Sequence, residues 1–188
     1  MTNVNDAVVE RVTDRGRNLL LTEAVGLIER HHPSDARGLG RETLRAYAEA
    51  FAEEPNFGFA PEEFVESVDG ALVGVETYVG DDALYDLGDD RISVYPRAWH
   101  DRLGGETDIR EYVAYLESDE SGFADNSPRG GRGDGIDQPT LLDVVAVLSD
   151  LDRNAARAQI EERRANGQIR QPADQHPDAR VQIDRSSS

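Results

Sequence analysis

The chain has 188 residues, a length for one large domain or two small ones, and 38% of them are hydrophobic, enough for small cores. Twenty Lys+Arg stand against thirty-eight Asp+Glu, a formal net charge of −18. There is no cysteine, which excludes disulfides and thiolate metal sites. No apolar run approaches the ~18 residues that span a bilayer, and the N-terminus lacks the basic segment and apolar core of a signal peptide, so a cytoplasmic protein is expected.

All twenty cations are arginine, because the sequence contains no lysine. A lysine-free, Asp/Glu-rich composition resembles that of haloarchaeal proteins. In dilute buffer such a charge pushes the compact state apart, whereas at about 1 M salt the Debye length is about 3 Å and the repulsion is screened. The alternatives are an acidic mesophilic protein or a partner for a basic ligand.

Residues 1–30 read as helix, with apolar stripes at Val8, Val9 and Val12 and at Leu21, Ala24, Val25 and Ile28, and with Gly16 between them as a break. Leu44, Tyr47, Ala48 and Phe51 predict an amphipathic helix over 41–54. Pro61 opens the next, whose stripe is Phe64, Val65, Val68, Ala71 and Leu72. The period then falls towards two, predicting short strands at 77–79, 83–87 and 91–95, a small antiparallel meander punctuated by Gly80-Asp81-Asp82 and Gly88-Asp89-Asp90. Helix returns over 96–118, broken at Gly104-Gly105, with Asp108 and Glu111 spaced as a capping box. Residues 118–135 are rich in Ser, Gly, Asp, Asn and Arg and read as a flexible linker. From Ile136 onward, a largely buried helix precedes a second one, capped by Asp150 or Asp152 and ended by Gly167. Strands at 168–171 and 179–183 flank a polar loop, Pro172 to Asp178, and the Ser186-Ser187-Ser188 tail is read as frayed.

The fold class expected is therefore α+β. A helix-rich domain with a small meander spans 1–117, a linker 118–135, and a helix–helix–β-ribbon unit 136–185, the order of the back half of a winged helix. Helix 109–117 is the candidate for that unit's missing first helix. Gly135-Ile136-Asp137, Leu142, Val145, Ile160, Gly167, Ile169 and Pro172 resemble the winged helix at the C-terminus of archaeal minichromosome maintenance helicases. The resemblance covers about a fifth of the chain and departs at Arg163, where the family pattern has leucine. No ATPase motif accompanies it, so it implies an accessory binding module and no catalysis.

In the second helix of this unit Ala156 and Ile160 face inward. Arg153, Arg157 and Arg164 fall within about 40° of one another at ~100° per residue. Arg170, Arg180 and Arg185 lie on or near the ribbon. Arginine reads guanine edges and contacts phosphates, so double-stranded DNA is the expected partner. The alternative is an adaptor that uses the same module to hold a protein partner. The arginines could instead serve structure, paired with same-helix carboxylates, since Glu161 is four residues after Arg157 and three before Arg164. Residues 151–188 hold seven Arg against six Asp and Glu, while 1–150 hold thirteen against thirty-two, so the negative charge is concentrated before the candidate module. Residues 17–95 follow the same helix, helix, helix, ribbon order. There the corresponding helix, 61–73, carries Glu62, Glu63, Glu66 and Asp69, which repel phosphate and suit a protein partner better. A generic small α+β domain is the other reading.

No catalytic constellation, cofactor site or metal site is expected. His31-His32 diverge by about 100° on a helix. Trp99-His100-Asp101 cannot converge and has no nucleophile nearby. Asp81-Asp82 and Asp89-Asp90 lack the spacing of a calcium loop. Gly38-Leu39-Gly40 lacks the rest of a phosphate-binding loop. Arg129-Gly130-Gly131-Arg132-Gly133 reads as linker.

Overall fold

A computed structural model describes residues 2–127, 130–131, 135–171 and 179–184. The fold is mixed α+β. Two compact units divide it, one formed by Met1–Val75 with Asp81–Arg97, the other by Glu76–Gly80 with Ala98–Ser188.

In the first unit, α1 (Asp6–Arg15) starts at Asn5, whose side chain accepts from the Ala7 amide. Gly16 breaks the run at φ 56. The order continues as α2 (Leu21–His31), β1 (Leu39–Gly40), α3 (Arg41–Ala52), α4 (Pro61–Ala71), β2 (Leu72–Val73), β3 (Leu84–Gly88) and β4 (Arg91–Ser93). The sheet order is β1-β4-β3-β2. β3 and β4 form an antiparallel hairpin, β1 pairs antiparallel to β4 with Leu39 opposite Ile92, and β2 pairs parallel to β3. The meander is thus reduced to one hairpin. Residues 77–79 form no strand, because Tyr78 is spent elsewhere: it stacks on Trp99 at 5.2 Å within the second unit. Asp89 and Asp90 both take positive φ, 52° and 57°, the requirement of a two-residue hairpin turn with the right twist. Arg91 fastens the α2–β1 connection, donating to the carbonyls of Ala36 and Gly38.

The second unit contains α5 (Arg97–Leu103, whose first residue is the last of the first unit), α6 (Ile109–Leu116), α7 (Phe123–Asn126), β5 (Gly130–Gly131), β6 (Gly135–Asp137), α8 (Gln138–Leu148), α9 (Arg153–Ala165), β7 (Ile169–Arg170) and β8 (Arg180–Ile183). Its sheet order is β5-β6-β8-β7, all antiparallel. The sequence-based boundaries 1–117, 118–135 and 136–185 therefore need correction. α6 belongs to the second unit, and residues 118–127 are packed structure. Phe123 is buried, the Trp99 indole donates to the Ser121 carbonyl at 2.9 Å, and the Ser121 hydroxyl donates to the Leu116 carbonyl. Gly122 has φ 72, and a Cβ there would lie 2.6 Å from the Tyr78 carbonyl. The small polar residues of this segment serve turns and close approach, a composition that also describes a linker.

The two units share one core order, helix, strand, helix, helix, then a strand pair, with the first strand pairing to the last; β2 is added before the pair in the first unit, and α7 and β5 are inserted before the first strand in the second. Buried positions match in register. Ala24, Val25, Leu27 and Ile28 of α2 correspond to Tyr112, Val113, Tyr115 and Leu116 of α6. Leu44, Tyr47, Ala48 and Phe51 of α3 correspond to Leu141, Val144, Val145 and Leu148 of α8. Phe64 and Val68 of α4 correspond to Ala156 and Ile160 of α9. One arrangement of apolar stripes thus builds both cores.

Candidate nucleic-acid interface

Helix α9 presents the candidate face. Its N-terminus is capped by Asp152, whose carboxylate accepts from the amides of Asn154 and Ala155 at 2.7 and 2.9 Å. Its C-terminus closes at Gly167, φ 68. Ala156 and Ile160 are buried. Gln159 ties the helix to the start of α6, accepting from the Ile109 amide at 3.3 Å and donating to the Thr107 carbonyl at 2.8 Å.

Arg163 occupies the position where the resemblance has leucine, and its surroundings are polar. It donates to the Gln168 side-chain oxygen at 2.8 Å and lies 3.7 Å from Asp108. Asp108 also caps α6 through the Arg110 amide and grips the Arg110 guanidinium at 2.6 Å. The hydrogen bond from Arg110 is the chief reason its carboxyl is held below the usual range, with Arg163 a lesser one. A charged side chain fits here because a carboxylate is already waiting.

On the outer side, Arg153, Arg157 and Arg164 line one concavity of about 370 Å³, with Gln138, Pro139 and Leu142 of α8, Ile160 and Glu161 of α9, and Gln171 and Ala179 beside the ribbon. The three arginines that the helical period aligns are thus brought together. Arg153 is ion-paired with Asp143 of α8. Arg164 donates to the Gln171 side chain at 3.3 Å, and Gln171 in turn donates to Gln138 at 2.7 Å. Arg157 and Glu161 have no hydrogen bond or ion pair among the described residues, so the alternative pairing of Glu161 with Arg157 and Arg164 does not form among them.

Arg170 and Arg180 do not join this cleft. Arg170 is exposed on β7, 3.9 Å from Asp184, and Arg180 is half-buried on β8. Strand residues alternate between faces, which sends ribbon arginines away from a helix-bound cleft. Arg185, Arg129, Arg132 and the loop Pro172 to Asp178 lie outside the described residues. Asp143, Gln138 and Gln171 were missed by the sequence reading because nothing local marks them: each meets its partner only when α8, α9 and the ribbon converge.

The matching face of the first unit is different. Arg41, the first residue of α3, is ion-paired with Asp69 of α4 and lies 4.0 Å from Asp90 of the hairpin turn. It bridges α3, α4 and the β3–β4 turn, whereas in the second unit the first residue of the matching helix is Gln138. Glu62, Glu63 and Glu66 are exposed on α4.

The other sequence candidates resolve into structural roles. Arg11 contacts the His31 ring at 3.0 Å, while the His32 ring meets the Tyr47 hydroxyl at 3.2 Å. Burial, and secondarily Arg91, lowers the His32 pKa. Trp99 is fully buried. Among the described residues no group of His, Asp and Glu is placed to hold a metal ion, and no helix is long and apolar enough to cross a membrane.

Comparison with known proteins gives no match: no family model, curated protein or solved structure is similar to the chain.

Proposed function

We propose that the second unit is a winged helix that binds double-stranded DNA through α9, in a non-catalytic role in transcription or replication, within the salty cytoplasm of a halophile. The observation that carries this reading is the arginine cleft: three aligned guanidiniums, two of them without a carboxylate partner among the described residues, between α8, α9 and the ribbon. The order α6, β6, α8, α9, β7, β8, with α7 and β5 inserted between α6 and β6, β6 pairing to β8 and β8 to β7, supports the winged-helix reading. At 1.5 Å per residue, Arg153 and Arg164 stand about 16 Å apart along the helix, roughly five base pairs at 3.4 Å each. Counterion release contributes little at molar salt, so affinity rests on hydrogen bonds, apolar contact and shape.

The test is a binding measurement in high-salt buffer. Changing Arg157 and Arg164 together to Ala is expected to weaken duplex binding at least tenfold, while circular dichroism stays unchanged, because neither side chain holds the fold together. Equal binding by the double variant removes the assignment.

For the first unit, the acidic α4 and the bridging Arg41 favour the adaptor reading. That surface repels phosphate and suits a protein. Pulldown at native salt with nuclease treatment separates the two roles, since partners held by protein contact survive it.

A further inference from the structure

Among the described residues that line the arginine cleft, one has the wrong sign for a phosphate site. Glu161 lies on α9 between Arg157, one turn before it, and Arg164, one turn after it. It lines the same concavity, is exposed, and bonds to neither arginine. The repeat shows what this position does when it is structural. Asp69 holds the same place in α4, the ninth residue of its helix as Glu161 is of α9, and it is neutralised by Arg41, the first residue of the preceding helix. In the second unit the first residue of the preceding helix is Gln138, whose side-chain oxygen is taken up by Gln171. The carboxylate at position 161 is therefore left without the partner its counterpart has.

Resting on the DNA-binding reading above, we propose that Glu161 is a specificity-determining residue that reads a cytosine edge in the major groove. The chemistry follows from its sign. A carboxylate accepts hydrogen bonds only, so it is repelled by phosphate oxygens and by the acceptors N7 and O6 of guanine. Within the groove the amino groups of cytosine and adenine donate, and cytosine N4 is the usual partner of Glu. Flanking arginines bidentate to guanine would place this contact in the middle of a G/C-containing site. Glu161 thus lowers affinity for arbitrary duplex while favouring one base pair.

The opposite effects on these two quantities make the test specific. The full-length protein is taken through selection from a random duplex library in high-salt buffer, alongside Glu161→Gln and Glu161→Ala. The wild type is expected to enrich a site containing a C·G pair that both variants cease to select, with the preference there falling from about tenfold to about twofold. Affinity of the Ala variant for unselected duplex is expected to rise about twofold or more. Variants that keep the wild-type site at every position, or that lose affinity for all duplexes equally, overturn the proposal and leave DNA binding standing. A wild type that enriches no duplex overturns both, whereas loss of enrichment on changing Arg157 and Arg164 to Ala supports the parent reading by itself.

Discussion

The most unusual single group in the first unit is Glu29 of α2. Its carboxyl head is shielded from solvent, although the residue as a whole is only half-buried. It accepts from the Val94 amide at 3.0 Å and from the Ser93 hydroxyl, so it pins the end of β4 to α2. Burial raises its pKa from 4.5 to about 7, against the smaller opposing effects of those hydrogen bonds and of Arg30 and Arg91. The folded state keeps this proton up to neutrality, whereas the unfolded chain releases it near 4.5. Between those values the native state binds more protons, so this group makes stability fall as pH rises, to a cost of about 3 kcal/mol above neutrality. Glu29→Gln keeps the shape and removes the charge. It is expected to flatten this part of the pH dependence and to be the more stable form above pH 7 by about 2 kcal/mol. Denaturant unfolding at a series of pH values checks this, and a slope identical to that of the wild type refutes it.

At the scale of elements, α9 depends on its ends and its back rather than on its own propensity. Only Ala156 and Ile160 are buried along its length, so the Asp152 cap and the Gln159 clasp on α6 carry a disproportionate share of its placement. Asp152→Ala is expected to cost about 1 kcal/mol and to fray the first turn that carries Arg153, measured as a lower unfolding midpoint and faster amide exchange at Asn154 and Ala155. Much of this element was legible in the sequence: the period of 3.6 placed its buried and arginine faces, and Gly167 its end. The strands that open each motif were not. β1 and β6 are two and three residues long and include glycine, so no alternation can build up, and their pairing to β4 and β8 comes from distant residues. The same reason hid the cleft's outer ring. Arg153, Arg157 and Arg164 align by local geometry alone, but Asp143 and Gln171 enter only through tertiary packing. The segment 118–127 misled because its one large apolar residue, Phe123, gives no periodicity, yet it fills the space beside Trp99 and Tyr78.

Across the whole molecule, the two halves of one repeated topology have divided their surface chemistry. Where Arg41 of α3 is ion-paired with Asp69 of α4 in the first unit, arginines line a concavity beside α8 and α9 in the second. That division exists inside a chain of net charge −18 with no lysine, and the same charge sets how the fold responds to salt. Many acidic side chains on the surface repel one another in the compact state, and unfolding relieves that repulsion by spreading them apart. Screening acts most on exposed charges more than a Debye length apart, about 8 Å at physiological ionic strength and about 3 Å at 1 M. Ion pairs such as Arg41–Asp69 and Arg110–Asp108 hold their charges in direct contact, closer than a Debye length even at about 1 M, so salt weakens them far less than it weakens the long-range repulsion. The balance makes salt a net stabiliser. The unfolding temperature is expected to climb steeply as KCl rises from about 0.2 M to about 2 M. Sodium chloride should do nearly the same, because screening depends on ionic strength rather than on the cation. Thermal unfolding followed by circular dichroism across this range measures it. A midpoint that falls or stays level with added salt would mean that the ion pairs outweigh the repulsion, and would remove the halophilic reading of the composition.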